Sequence, residues 1–316
     1  MKGCLTNTRG CFFWNTQRVH STKSNPEKSK EGLNLDMWRV LVWVVCAWGN
    51  GSTFPHTCHL TLQFAGDIML GRGVALANSG QMNRVLPLDS LLREGDLNIA
   101  NLESPLTQAP FVGATYDLRA NPTARIALKG FHALSVENNH ALDGGVKGKM
   151  DTQRALIATK IQPLSGLWTT KVKGCTINVW AWTDTEDQMA KPVLPALKKD
   201  QLNIAYVHWG SEYAGVTSRQ RTLAQQLSQK GFDFVIGSGP HVLQPIERFG
   251  ETWVAYSLGN LAFDQRMPLT RIGAVLRVSI VKGNVYLKAF ATRIDRGKTR
   301  LDPSGTSQVY RLLGLP

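Results

Sequence analysis

The sequence predicts an α/β fold, and three observations lead to it. In Leu60-Thr61-Leu62-Gln63-Phe64-Ala65-Gly66-Asp67, apolar and polar residues alternate with the period of a strand that has one face on a core. Short apolar runs of the same kind recur along the chain, and each stops at a polar cluster with metal-binding or hydrogen-bonding capacity. Between them lie helix signals: capping residues, an early proline, and a terminating glycine.

In chain order, the Leu60 strand comes first. Gly66 is read as the point where the backbone turns, leaving the Asp67 carboxylate presented at the carboxyl end of the strand, where open α/β sheets place ligands. Val85 to Leu92, with Pro87 near its start, reads as a short helical approach. Leu97-Asn98-Ile99-Ala100 then leads into Asn101-Leu102-Glu103. Asn121-Pro122 is the signature of a capped helix start, running to Gly130. Phe131 to Val136 ends at Asn138-Asn139-His140, and Val146, Met150 and Ile157 mark the apolar face of the helix after it. Cys175 to Trp182 is a strand. Ile204 to Val207 ends at His208, Thr217 or Ser218 opens a helix carrying Leu223 and Leu227 that Gly231 stops, and Phe234-Val235-Ile236 reaches Gly237-Ser238-Gly239-Pro240-His241. Val254-Ala255-Tyr256 reaches Ser257-Leu258-Gly259-Asn260, and Lys282-Gly283-Asn284 joins two strands as a hairpin. If these strands lie side by side, Asp67, Glu103, Asn139, His140, His208 and His241 converge on one rim, an oxygen and nitrogen donor set suited to a divalent cation.

The chain has 316 residues, 43% of them hydrophobic, enough for one large α/β domain with extensions. The net charge of +13 invites a nucleic-acid reading. The cations are dispersed, however, and no compact basic-aromatic module is present, so an anionic polymer or an anionic membrane surface is an equally good partner. Residues 1–36 are polar and aperiodic and read as a disordered or spurious extension. In residues 37–56, Arg39 precedes the apolar run Val40 to Trp48 and the small residues Gly49 to Ser52, the parts of a secretory signal. A buried strand is the alternative. Cys58 and Cys175 are free either to pair in an oxidising compartment or to remain two partly buried thiols.

Several stretches carry a resemblance. Gly66-Asp67-Ile68-Met69-Leu70-Gly71-Arg72, Asn101 to Thr107, Asn138 to Asp143, His208-Trp209-Gly210-Ser211-Glu212-Tyr213, Pro240 to Pro245 and Tyr256 to Asn260 resemble, in order, the motifs of the CapA family of capsule and poly-γ-glutamate synthesis proteins. The resemblance spans about Leu60 to Asp295. It implies a metallophosphoesterase-like four-layer αββα sandwich, with two mixed β-sheets flanked by helices, over residues 57–316. It also implies an exported protein of the periplasm or cell envelope that works with envelope synthesis machinery. Carried over motif by motif, it makes Asp67, Glu103, Asn139, His208 and His241 ligands of a divalent metal (Mn, Zn, Fe or Mg), with Glu103 bridging two ions. Asn139 and His140 would match the catalytic Asn-His pair of phosphoesterases, whose histidine protonates a leaving group. Where the family commonly reads Gly-Ser-His-Pro-His, this chain has Gly239 in place of the first histidine. Phosphoesterases tend to carry a further histidine where Met69 stands.

Each feature also has an ordinary reading. Asp67 could cap a turn, Asn138 and Asn139 a helix start, and His140 could be a satisfied core histidine. Arg119 is a candidate substrate-binding residue for a bidentate anion contact, or a solvated loop arginine. Trp180, Trp182 and Trp209 suit the core better than a sugar platform, and Asp264 is placed to support the loop from Tyr256 to Asn260. The functional readings are a metal-dependent hydrolase of phosphoester type with a degraded second metal site, a non-catalytic envelope protein that binds or guides an anionic polymer, and, on charge alone, a nucleic-acid binder. If residues 37–56 are a secretory signal, a reporter fused behind them leaves the cytoplasm; a reporter retained there in full contradicts the reading.

Overall fold

Apolar alternation builds strands from the start of the described chain, and their two faces are covered differently. The structure is a computed structural model that describes residues 58–113, 115–185 and 192–316. The expected segments 1–36 and 37–56 lie outside the described residues. In chain order the elements are β1 (Leu60–Ile68), α1 (Arg72–Ala77), α2 (Asp89–Leu92), β2 (Leu97–Leu102), β3 (Ala133–Ser135), α3 (Gly145–Ile157), β4 (Gln162–Leu164), β5 (Gly166–Val172), β6 (Cys175–Asp184) and β7 (Leu202–Trp209). There follow α4 (Ser218–Lys230), β8 (Phe234–Ser238), β9 (Leu243–Phe249), β10 (Thr252–Leu258), β11 (Asn260–Ala262), β12 (Ile272–Val281), β13 (Asn284–Asp295), β14 (Lys298–Leu301) and α5 (Thr306–Leu313).

The strands form two mixed sheets. One has the order β14-β13-β12-β1-β2-β3-β4, with β11 beside β1, and the other the order β5-β6-β7-β8-β10-β9. Strands β1 to β4 are parallel, as are β6, β7, β8 and β10, so each sheet presents a row of carboxyl ends. Alternate residues separate the layers. Leu62, Phe64, Ile99, Ile204 and Tyr206 fill the core between the sheets. Ala100, Leu134, Leu128 and Leu156 pack beneath the helices of the first sheet, and Val207, Trp209, Leu223 and Leu227 beneath α4. Three apolar layers separate helix, sheet, sheet and helix, which is the αββα arrangement that the resemblance implied. Among the described residues no helix is long and apolar enough to cross a membrane.

Local signals held where they rest on backbone chemistry. Thr217 caps α4 in a reciprocal box with Gln220, and Gly231 ends it in a left-handed conformation. Asn121 Oδ1 accepts the Thr123 N–H, but the segment it opens, Pro122–Leu128, is a 3-10 helix and not an α-helix. The helical approach near Pro87 shrinks to α2, a single turn. The expected apolar face of α3 is corrected: Val146, Met150 and Ile157 are 71%, 45% and 63% exposed, while Gly148, Thr152 and Leu156 are buried. A hydrogen bond fixes that rotation, because Thr152 Oγ1 accepts the Leu106 N–H and donates to the Gly148 carbonyl. Buried amide satisfaction outweighs the exposure of three apolar side chains.

Cys58 and Cys175 form a disulfide with Cα atoms 5.7 Å apart. It precedes β1 in one sheet and opens β6 in the other, so it ties the two sheets across 117 residues of chain. Closing a loop of this length restricts the unfolded chain by about 4 to 5 kcal/mol in the chain-entropy model. Reduction should therefore lower the denaturant midpoint of the wild type and leave unchanged that of the Cys58→Ser, Cys175→Ser double variant, as followed by tryptophan fluorescence.

Candidate metal centre

Asp67 stands at the carboxyl end of β1, as expected, but is fully buried, so the expectation of a presented carboxylate is corrected. Gly66 is likewise not a turn. It is a strand residue whose added Cβ would lie 1.8 Å from the Gly259 carbonyl oxygen, so glycine is needed for the close approach of the two backbones. That approach lets the Asp67 N–H donate to the Gly259 carbonyl at 3.0 Å. Register then supplies the partners of the side chain. Asn101, opposite Asp67 in β2, donates its Nδ2 to Asp67 Oδ1 at 2.8 Å, and the Gly239 N–H donates to Oδ2 at 3.0 Å. Burial pushes the Asp67 carboxyl up, but His241, His208 and the Gly239 amide more than reverse this and hold it below its ordinary value.

The other donors arrive from the ends of the neighbouring strands. Ligand atoms of Asp67, Glu103 and His208 lie within 4.8 Å of one another, and all three residues are buried. His208 and His241 face the two carboxylates in the same sense. Their Nδ1 atoms lie 3.7 and 3.3 Å from Asp67, while their Nε2 atoms lie 4.0 and 3.7 Å from Glu103 Oε1. Asn139 Oδ1 accepts from His208 Nε2 at 3.0 Å. Asn260 Nδ2 donates to Gln265 and to the Thr270 carbonyl, which leaves its Oδ1 to accept from His241 Nδ1 at 3.0 Å and directs His241 Nε2 toward Glu103.

Charge in this cluster is unbalanced. Burial pushes Glu103 well above its ordinary value, with the nearby Asp67, Glu212 and Asp143 carboxylates adding to it against the pull of His241. Burial also lowers His208 to about 4, which keeps that ring neutral. For His241, burial acts downward, but the Glu103 and Asp67 carboxylates win and raise it to about 9. Glu103 Oε2 is buried with no hydrogen-bond partner. Two buried carboxylates, two imidazoles and an amide oxygen with one orphaned acceptor fit a divalent cation.

The remaining sequence candidates have definite places. His140 Nδ1 lies 3.0 and 3.2 Å from the two oxygens of Asp143, which also accepts the Leu118 N–H, so the ring is oriented by a carboxylate. Arg119 is bidentate to Asp117 at 2.8 and 2.7 Å and also donates to the Ala109 carbonyl, so its fork is already occupied. Asp264 does not support the Tyr256–Asn260 loop; it accepts from Arg72 and from the Gly73 N–H. Trp180 and Trp209 are core residues, Trp209 donating to the Tyr256 carbonyl at 2.8 Å. Asn101, Asn138, Ser238 and Asn260, which the sequence placed in the polar clusters at strand ends without a role in the site, hold its side chains in position. Asn138 donates to Asn101 Oδ1 and to the Leu102 carbonyl, and Ser238 Oγ lies 3.1 Å from His208 Nδ1. Asn101 was within reach of the strand period, since it lies two residues before Glu103 and shares its face.

Comparison with known proteins gives the following matches. Residues 61–265 match the family described as bacterial capsule synthesis protein PGA_cap. The chain is 30% identical over 259 residues to the PGA biosynthesis protein CapA of Bacillus subtilis (strain 168), covering 71% of this chain and 68% of that protein. It is 26% identical over 298 residues to the capsule biosynthesis protein CapA of Bacillus anthracis, covering 80% and 72%. Among solved structures, a novel phosphatase from Mycoplasma pneumoniae has a TM-score of 0.47 at 12% identity, covering 81% of this chain and 99% of that one.

Gly239 decides whether the missing histidine could be restored. Its φ is +109°, and an added Cβ would lie 2.8 Å from the Trp209 carbonyl oxygen and 3.3 Å from His208 Cε1. Gly239→His should therefore lower the melting temperature and leave metal stoichiometry at or below that of the wild type in calorimetric titration with manganese or zinc. A rise in stoichiometry with unchanged stability would contradict this account of the backbone.

Proposed function

The chain belongs to the bacterial capsule synthesis protein family PGA_cap, and from that membership we propose that it acts in capsule or poly-γ-glutamate synthesis as a metal-dependent hydrolase of phosphoester type. The observation that carries the metal dependence is Glu103, buried beside Asp67 and His208 with one oxygen unpartnered. Asp67, Glu103, Asn139, His208 and His241 would hold the ion, which is Mn, Zn, Fe or Mg. When bound, such an ion polarises a phosphoryl oxygen and lowers the pKa of water.

The chain's own residues supply the rest. His140, held at Nδ1 by Asp143, presents Nε2 for proton transfer to a leaving oxygen. Asn139 keeps the neighbouring His208 ring in place. Arg119 reaches a substrate anion only by releasing Asp117, so attraction of an anionic substrate rests on the net charge of residues 57–316, which is +9 from 29 Lys and Arg against 20 Asp and Glu. Export to the periplasm or cell envelope is part of the same proposal, supported by the Cys58–Cys175 disulfide, a bond that persists in oxidising compartments. Envelope synthesis machinery is the expected partner. A second reading, a non-catalytic protein that binds or guides an anionic polymer, is favoured by Gly239, which removes one imidazole from the donor set.

Metal analysis tests the first step. Residues 57–316, purified after manganese or zinc supplementation, should retain at least one divalent ion, and Asp67→Ala and His208→Ala should each lose it while keeping the wild-type circular dichroism spectrum. A metal-free wild type defeats the proposal. Turnover of bis(p-nitrophenyl) phosphate by the loaded protein separates the hydrolase from the polymer-binding reading.

A further inference from the structure

Glu212 lies just beyond β7, two residues after Gly210, with its side chain half exposed. Exposed glutamates ordinarily turn toward water. This one brings Oε1 to 3.8 Å from the buried His241 Nε2, the ring atom that also faces Glu103 Oε1 at 3.7 Å. A third carboxylate has thus been brought to a cluster that already buries Asp67 and Glu103. Both glutamates face the same imidazole nitrogen, and Glu212, half exposed, has room to move toward it or away from it.

The backbone holds Glu212 there. Tyr213, next in the chain, has a φ of +61°, an uncommon conformation for an aromatic residue. Its N–H donates to the Pro240 carbonyl at 2.8 Å, and its hydroxyl accepts from Gln265 at 2.8 Å. Pro240 precedes His241, and Gln265 binds the Asn260 amide that fixes the His241 ring. Tyr213, the residue after Glu212, is therefore tied twice to the apparatus that aims His241 Nε2.

Atom geometry completes the case. Asp67 occupies the Nδ1 side of both imidazoles, whereas Glu103 and Glu212 lie on the Nε2 side, where Asn139 Oδ1 also meets His208 Nε2 at 3.0 Å. Ligand atoms of one ion with bonds of about 2.0 to 2.2 Å lie roughly 3 to 3.6 Å apart. The 3.7 and 3.8 Å separations around His241 Nε2 leave a few tenths of an ångström to close at that nitrogen, and the half-exposed Glu212, which lies outside the group of ligand atoms within 4.8 Å of one another, swings inward to meet Glu103. We propose that Glu212 is a ligand at the solvent mouth of the metal centre, binding the ion held by His241 and Glu103. This rests on the reading of the buried cluster as a metal site.

The test is calorimetric titration of the full chain with manganese and with zinc, at about 0.05 and about 0.5 M sodium chloride, for the wild type, Glu212→Gln and Glu212→Ala. Both variants should bind about tenfold or more weakly than the wild type at both salt concentrations, with the melting temperature of the metal-free protein unchanged. Affinity within about twofold of the wild type, or a deficit that closes at high salt as for a rim charge acting through solvent, overturns the proposal. If the wild type binds an ion and the variants bind it equally, only the role of Glu212 falls. If the wild type binds none, the reading of the cluster falls with it.

Discussion

Two carboxylates buried side by side, Asp67 at 0% and Glu103 at 1% exposure, are the constraint that the centre of this molecule must satisfy. Burying one such charge without compensation costs several kcal/mol, and a second beside it costs more. Asp67 is compensated within the chain: Asn101, the Gly239 amide and His241 together serve both of its oxygens. Glu103 is not, since one oxygen has no partner and the other faces two imidazole nitrogens at 3.7 and 4.0 Å. The structure holds a deficit of hydrogen-bond partners at one oxygen of Glu103, and that point is where the two sheets bring their strand ends together.

The surrounding fold keeps that deficit in place. Amide side chains form the frame: Asn138 holds Asn101, Asn101 holds Asp67, and Asn260, fixed by Gln265 and the Thr270 carbonyl, holds His241. Each uses both its donor and its acceptor, so neither Asp67 nor the His241 ring can rotate without orphaning a buried group elsewhere. The close backbone approach at Gly66 and Gly259 adds a rigid seam beneath Asp67. An electrostatically costly arrangement of this kind persists because many satisfied contacts around it over-determine the geometry.

Particular elements show which parts of this were legible in the sequence. The strands ending at Asp67, Glu103, Asn139, His208 and His241 follow from short apolar runs whose period and length are set by local backbone geometry. The α4 box of Thr217 and Gln220 and the Lys282-Gly283 hairpin are equally local. The α3 face failed because its docking is set by a hydrogen bond from Leu106, 46 residues away, which no helical period encodes. Asp67 was misjudged as exposed for the same reason: its burial comes from Gly239 and Gly259, remote in sequence and adjacent only after folding.

By itself, then, the sequence determined the inventory: α/β strand and helix order, the donor residues at strand ends, the family resemblance carried by their motifs, and the substitution of glycine at position 239. These depend on residue type and near-neighbour spacing. Tertiary structure alone decided which nitrogen of each histidine faces which carboxylate, that Arg119 is taken by Asp117, that Cys58 pairs with Cys175, and that Glu212 reaches His241. The physical reason is that ring orientation, charge balance and burial are properties of the space between strands from different parts of the chain, and that space exists only once the two sheets have packed.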